Sequence, residues 1–584
     1  MRLKWLPVAV LSLLGVGMYS WALTRGQPHE FYSAAAMSMS QSWSAFFYGA
    51  LDPAVTITTD KLPGALWVHA AFIRLFGQHE WVLLLPQALA GATAVPLLFG
   101  AVRRWAGDRA AVVAGSTYLA MPISFAAAQI SIPDPLLTTC LTAAAYTLVR
   151  ALDGDQRWLL LSAAIVGAAF QVKMLQAWVL VPVFGLTYLI CAKAAARIRW
   201  LNVFLYGGVA LLASVAWMSV ISLIPTSRRP LLDGSEAGSP WEMVFLYNGI
   251  DRSAAGEITT ILSRFSGTPG PLRLFNEQLA PQAGWLLPLA VLALVTGLVT
   301  SRTAGRHALS GWILWGGWLG LNWIAFSVLS GLHPYYLTVL SPAIAALVGA
   351  GIDQALTAWR TKQAAGWVLP AGIVITAGWS VLLIERQLTG LPWLMPLVAG
   401  LAVLALVLLF LQRSRFTLVA TTAAVLAAPL CWTLSTPAIP EGSTRIISPI
   451  AGPPAYLAPL RQDAGATGVD AQLLAYLQAR REGERFLFAT GESSKAADYL
   501  YAGFPVLPFR GFTSGAPSVP AEEVSRLVSD RELRFILMMD QPGMTPRSTD
   551  RVRWIKQHCQ LIDRIAYGAT GPAGPWDADL YDCY

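Results

Sequence analysis

Asp134 stands in Ser131-Ile132-Pro133-Asp134-Pro135, an acidic residue at the edge of a long apolar stretch. A carboxylate placed there can take a proton from an attacking hydroxyl, or it can cap a helix whose dipole keeps it ionised. The flanking prolines fix the chain where that helix begins. Glu30, in His29-Glu30-Phe31-Tyr32, is a second carboxylate, open to base catalysis, metal binding or plain solvation. Lys61, in Thr59-Asp60-Lys61-Leu62-Pro63, precedes an amphipathic stretch at 66–73. An ammonium beside an interfacial helix suits a lipid phosphate, or simple anchorage to anionic lipid. Lys173 is a lone cation in a tight turn between two apolar segments, either a ligand or a side chain snorkelling to the interface. Arg273 and Asn276 follow a Gly/Pro-rich turn at an i, i+3 spacing that suits phosphate or sugar hydroxyls, or a mere connection. His333-Pro334-Tyr335-Tyr336 adds an imidazole and two phenols where an aromatic belt is expected anyway.

The elements that must position these groups are apolar. Hydrophobic residues form 55% of the chain, charged residues 13%, and the mean hydropathy is +0.53. A soluble domain carries about 25% charged residues. Net charge is +8, but the basic residues lie in short clusters between apolar segments, as membrane topology demands and nucleic-acid binding does not. A span needs roughly 20 apolar residues, and candidates begin near Trp5, Val82, Ala110, Pro135, Trp158, Gln176, Leu201, Trp285, Leu309, Tyr336, Gly366, Trp393 and Phe416. The fold class expected is a polytopic α-helical membrane protein of about 13 spans. Arg2/Lys4, Arg103/Arg104/Arg109, Arg150/Arg157, Lys193/Arg197/Arg199, Arg302/Arg306, Arg360/Lys362 and Arg413/Arg415 then share one side, which the positive-inside rule makes cytoplasmic. Two large loops, 25–80 and 225–284, come out on the opposite side with every candidate residue above.

Residues 1–434 are therefore expected to form the membrane domain, 435–470 a Pro-rich linker and 471–584 a soluble extracytoplasmic α/β domain. Helices are expected at 472–480, 494–502, from about Pro520, and at 550–559; strands at 485–490, 506–509, 534–539 and 561–567. Cys559 and Cys583 share the oxidising side and can pair or remain free, whereas Cys140, Cys191 and Cys431 lie within spans. There is no Walker loop, no Gly-rich nucleotide turn after a strand and no Cys/His metal spacing.

Taken in order, Glu30-Phe31-Tyr32, Gln41-Ser42-Trp43, Leu51-Asp52-Pro53, Asp60-Lys61-Leu62-Pro63, Lys173-Met174-Leu175-Gln176, the 270–276 segment and His333-Pro334-Tyr335-Tyr336 resemble the GT-C glycosyltransferases. The likeness is to the protein O-mannosyltransferase and aminoarabinose-transferase group, and within it to a bacterial mannosyltransferase-like subgroup. His29 stands where that group usually has Asp, and Leu62 separates Lys61 from the Pro that usually follows it. The resemblance implies transfer of a sugar, by an inverting route, from a polyprenyl-phosphate donor to an acceptor hydroxyl on a glycan, lipid or protein. It implies work at the outer face of a bacterial plasma membrane. Glu30 and Asp134 become the catalytic carboxylates, and either can be the base. Lys61, Lys173, Arg273 and His333 become donor-phosphate ligands, with His29, Asp60, Asn276, Tyr335 and Tyr336 in support. No organic cofactor is expected; a divalent metal is left open with no ligand set assigned. Two other activities fit the same residues: flipping a lipid-linked sugar, or a non-catalytic scaffold presenting the outer domain.

Overall fold

The computed structural model describes residues 5–250, 265–302, 305–387, 391–412, 414–439, 448–461, 468–512, 519–538, 546–568 and 578–584. Parts of the expected second outer loop (251–264) and linker (440–447, 462–467), and Arg413, lie outside the described residues. The N-terminal part is helical: α1 (Leu6–Leu23), α2 (Glu30–Gln41), α3 (Trp43–Tyr48), α4 (Gly64–Phe76), α5 (Glu80–Ala106), α6 (Asp108–Leu119) and α7 (Pro122–Ala128). Next come α8 (Asp134–Ala151), α9 (Gln156–Lys173), α10 (Leu175–Trp178), α11 (Val181–Cys191) and α12 (Ala196–Ser222). The second half adds α13 (Leu287–Ser301), α14 (Arg306–Val328), α15 (Ser341–Arg360), α16 (Val368–Arg386), α17 (Leu394–Phe410) and α18 (Ser414–Leu434). A helix, or two consecutive helices, thus starts near each expected span. Among the described residues, 6 helices are long and apolar enough to cross a membrane, or up to 7 counting α6 and α7, bent by 54°, as one. Several of the others are apolar but shorter, and the count of about 13 expected from hydropathy exceeds what length alone supports.

Close approach of backbones sets the geometry where it matters for chemistry. A Cβ at Gly64 would stand 2.5 Å from the Gln171 carbonyl oxygen, so only glycine lets the start of α4 reach the end of α9. A Cβ at Gly26 would meet the Gln129 oxygen at 2.3 Å, and Gln27 N donates to that same oxygen at 3.0 Å. These two contacts draw the segments carrying Glu30 and Lys61 against those carrying Asp134 and Lys173.

The expected linker contains a helix, α19 (Pro454–Arg461). Beyond it lie α20 (Ala471–Arg480), β1 (Phe488–Thr490), α21 (Ser493–Tyr501), β2 (Val506–Pro508), α22 (Ala521–Ser529), β3 (Phe535–Met538), α23 (Pro546–His558), β4 (Gln560–Leu561) and β5 (Asp579–Asp582). The sheet order is β2-β1-β3-β5-β4, parallel from β2 to β3 and antiparallel from β3 to β4. Helices cover the parallel strands, which are buried throughout. One expectation is corrected here. The strand expected at 561–567 stops at Leu561, and a 3-10 turn, Arg564–Tyr567, follows because Asp563 accepts from Ile565 N and caps it. Cys559 and Cys583 are bonded, tying the end of α23 to the chain after β5.

This α/β unit is keyed into the two long loops of the N-terminal part. The loops are joined to each other by a parallel bridge between Ile57 and Leu231, and Asp233 of the second accepts from Phe512 N of the α/β unit at 2.6 Å. Phe31 packs on Phe512 with ring centroids 5.4 Å apart. A single hydrophobic cluster runs from α2 and α4 into α20, α21 and the sheet. Burying that shared apolar face removes a large hydrophobic area from water and fixes the domain over the site.

Candidate functional site

α8 and α9 are both 18 residues long and run antiparallel, so the first residue of one and the last of the other lie at the same end. Those residues are Asp134 and Lys173, and they form a buried ion pair. Lys173 is therefore the end of a helix rather than part of the tight turn expected from sequence. Met174 ends the helix at φ 47°, a backbone region rare for a residue with a Cβ. Asp134 is also not the helix cap: Pro133 holds that position, and the Asp134 side chain is paired with Lys173 instead. Lys173 lies 3.7 Å from the centroid of Tyr336 and 5.3 Å from that of Tyr335. His333 stacks on Tyr335 at 4.9 Å and puts Nδ1 2.8 Å from Ser448 Oγ.

The second cation arrives from the turn that precedes α4. Lys61 pairs with Asp60 at 2.5 Å and lies 5.3 Å from the Tyr32 ring centroid. Asn248 Nδ2 donates to the Asp60 carbonyl at 2.7 Å, which steadies the turn. The charge of Lys61 reaches the Asp134 carboxyl as well, so the two ion pairs belong to one electrostatic cluster. His29 N donates to Ser131 Oγ at 2.8 Å, and Ser131 Oγ lies 3.1 Å from Ser33 Oγ. Glu30, first residue of α2, is thereby set beside the Ser131–Asp134 segment. Burial lowers the His29 pKa to about 4 against the pull of Glu30, so its imidazole is neutral near pH 7. Burial likewise raises the Tyr32 phenol to about 12 despite Lys61.

Between α4, Ser131–Pro133 and Val172 lies a cleft whose walls mix Tyr32, Lys61 and Ser131 with Leu62, Ala65, Leu66 and Val172. Around this cluster, Asp60 Oδ1, Asp134 Oδ2 and His29 Nδ1 are buried and make no hydrogen bond within the described residues. Native interiors rarely leave such atoms unsatisfied, and a polar ligand in the cleft could supply partners for them.

Not every candidate joins the cluster in the same way. Arg273, buried, directs Nε to Ser266 O, Nη1 to Phe326 O and Leu329 O, and Nη2 to Ser266 Oγ and Gly267 O. A guanidinium has five N–H donors, and all five are engaged by the protein. Asn276 donates to Ser266 O at 2.8 Å and accepts from Leu279 N at 2.8 Å. The pair falls on one face as expected, but it fastens the 266–276 turn to the end of α14 rather than offering donors to a ligand. Among the described residues no group of three or more His, Cys, Asp or Glu could hold a metal ion.

One partner was not legible in the sequence. Asp498, on α21, is buried, and its carboxyl is in hydrogen-bonding contact with that of Glu30. The 494–502 pattern announces an amphipathic helix but gives no sign that this acid crosses to α2.

Residues 60–222 match the family described as dolichyl-phosphate-mannose-protein mannosyltransferase, and residues 473–558 the C-terminal region of the YkcB-like mannosyltransferases. Two proteins of Bacillus subtilis (strain 168) match nearly end to end. "Putative mannosyltransferase YkcB" is 28% identical over 91% of this chain and 88% of its own length, and "Putative mannosyltransferase YycA" 27% over 95% of each. The crystal structure of ArnT from Cupriavidus metallidurans bound to undecaprenyl phosphate superposes with a TM-score of 0.55 at 17% identity, covering 99% of this chain and 98% of that one. At that identity the structural likeness speaks for the fold, while the sequence matches speak for the family. Together they support the resemblance to the GT-C glycosyltransferases.

Proposed function

We propose that this protein transfers a sugar, in an inverting displacement, from a polyprenyl-phosphate donor to an acceptor hydroxyl at the outer face of a bacterial plasma membrane. The observation that carries the proposal is that Lys61, held by Asp60, lines a cleft with an apolar wall, while Lys173, next to the cleft residue Val172, is held by Asp134, on which Lys61 also acts. The apolar wall suits the first isoprene units of a carrier, and the ammonium groups suit its phosphate. Two cations aimed at a leaving phosphate stabilise the charge that develops as the glycosidic bond breaks. Asp60 and Asp134 keep both lysines charged and placed before the donor arrives. Glu30, at the first position of α2 beside the Ser131–Asp134 segment, is then the general base that takes the acceptor proton. Tyr336 lies against Lys173, and His333 stacks on the neighbouring Tyr335.

In the same proposal the shorter apolar helices cross the bilayer along with the long ones, the N-terminus is cytoplasmic and the α/β domain faces outward. The relatives named as mannosyltransferases make mannose the first sugar to try, and the acceptor is a glycan, lipid or protein hydroxyl. The test uses purified protein in nanodiscs, undecaprenyl-phosphate mannose and envelope extract as acceptor, with Glu30→Gln, Asp134→Asn and Lys61→Ala variants. Loss of transfer in Glu30→Gln and Lys61→Ala is expected. Full activity in all three variants would overturn the assignment. Transfer in Glu30→Gln but none in Asp134→Asn would move the base to Asp134.

A further inference from the structure

α21 of the C-terminal domain packs along α2, and the two share one hydrophobic cluster that includes Phe31, Ala34, Ala497 and Leu500. On that contact face sit two acids. Asp498 is 2% exposed; Oδ2 accepts from Gly468 N at 3.3 Å, and Oδ1 has no donor among the described residues. The same carboxyl is in hydrogen-bonding contact with Glu30. Two carboxyl groups can make such a bond only when one of them carries a proton, because neither carboxylate is a donor.

We propose that the C-terminal domain completes the catalytic site, with Asp498 as the positioning residue that holds Glu30 by sharing one proton with it. This rests on the reading of Glu30 as general base. Asp498 keeps its proton and donates a hydrogen bond to the Glu30 carboxylate; the acceptor hydroxyl then gives its proton to Glu30 as its oxygen bonds to the sugar and the phosphate leaves with the electron pair of the broken bond. Asp498 is neither consumed nor ionised in that step. A carboxylate held by a neutral acid is oriented without being neutralised, as it would be by a lysine.

The surroundings support that protonation state. Burial is the largest influence on Asp498, the Glu30 contact comes next, and together they lift its pKa to about 8; Lys495 on the same helix acts the other way. Glu30 is also faced by Tyr501 and His29, and Tyr501 by Glu80 at the start of α5; Tyr499 stands beside Asp498. As pH rises through about 8 the shared proton is lost, like charges meet, and Glu30 loses its orientation.

The experiment combines infrared spectroscopy with kinetics on the full-length protein in nanodiscs. The wild type at pH 7 should show a protonated-carboxyl C=O band that is absent from Asp498→Asn. With undecaprenyl-phosphate mannose as donor, Asp498→Asn, which keeps a donor but cannot titrate, should retain kcat within about threefold and lose the alkaline fall. Asp498→Ala should lower kcat by about tenfold or more with donor KM unchanged. The proposal is overturned if the band is the same in wild type and Asp498→Asn. It is equally overturned if Asp498→Ala keeps the wild-type kcat and pH profile. Absence of transfer by the wild type would instead refute the functional reading, and the infrared result would still decide whether the proton is shared.

Discussion

The Asp134–Lys173 pair allows a quantitative test of how the site is built. Lys173→Met removes the ammonium while keeping most of the side-chain volume, and it leaves the Asp134 carboxyl buried, with side-chain exposures of 8% and 2% in the parent pair. Breaking a buried pair by removing one partner costs about 3–5 kcal/mol, because the remaining charge has neither water nor counterion. Lys61 also acts on Asp134, so the lower end is expected: about 3 kcal/mol, or roughly a hundredfold in the folding equilibrium. Asp134→Leu alone should cost a similar amount through the stranded lysine. The double variant should recover most of the loss, giving a coupling of about 2 kcal/mol or more. Unfolding of the four proteins in mixed detergent micelles, followed by tryptophan fluorescence, measures the cycle. If Asp134 only stabilised the start of α8 through the helix dipole, its replacement would cost about 0.5 kcal/mol and Lys173→Met nothing further. Additive single effects below about 1 kcal/mol would refute the buried-pair reasoning.

Further outcomes follow from other contacts. Gly64→Ala forces a Cβ to within 2.5 Å of Gln171 O, and the displacement of α4 from α9 should lower kcat by about a hundredfold while the protein still folds, as sugar-transfer kinetics would report. Arg273→Ala should reduce folded yield and thermal stability, measured by fluorescence-detected size exclusion, before it changes donor KM, since its donors hold the turn. Opening the Cys559–Cys583 loop, of sequence separation 24, by Cys→Ser replacement of both should lower stability by about 3 kcal/mol in a denaturant titration. His29 has its folded pKa lowered to about 4, so its contribution to stability is present above the unfolded value near 6.5 and is lost as pH falls from there toward 4; His29→Asn should flatten that limb of the unfolding profile.

Much of this protein could be read along one dimension. Apolar runs of near-span length located the helices, because a backbone in lipid must satisfy its own hydrogen bonds and few other solutions exist. The strands at 488–490, 506–508 and 535–538 and the helices between them announced themselves by their pattern. Asp134, Lys173 and Lys61 stood out because charge is costly at an apolar edge. Pairing was another matter. That Asp134 meets Lys173, and that Arg273 turns inward to carbonyls of its own turn and of α14, depends on which helix ends coincide and on where Gly26 and Gly64 allow backbones to touch. Asp498 lies hundreds of residues from Glu30 and carries no local mark of function. Only the packing of α21 on α2 brings the two acids into contact, since a side chain's protonation and role are set by neighbours in space, which sequence distance does not constrain.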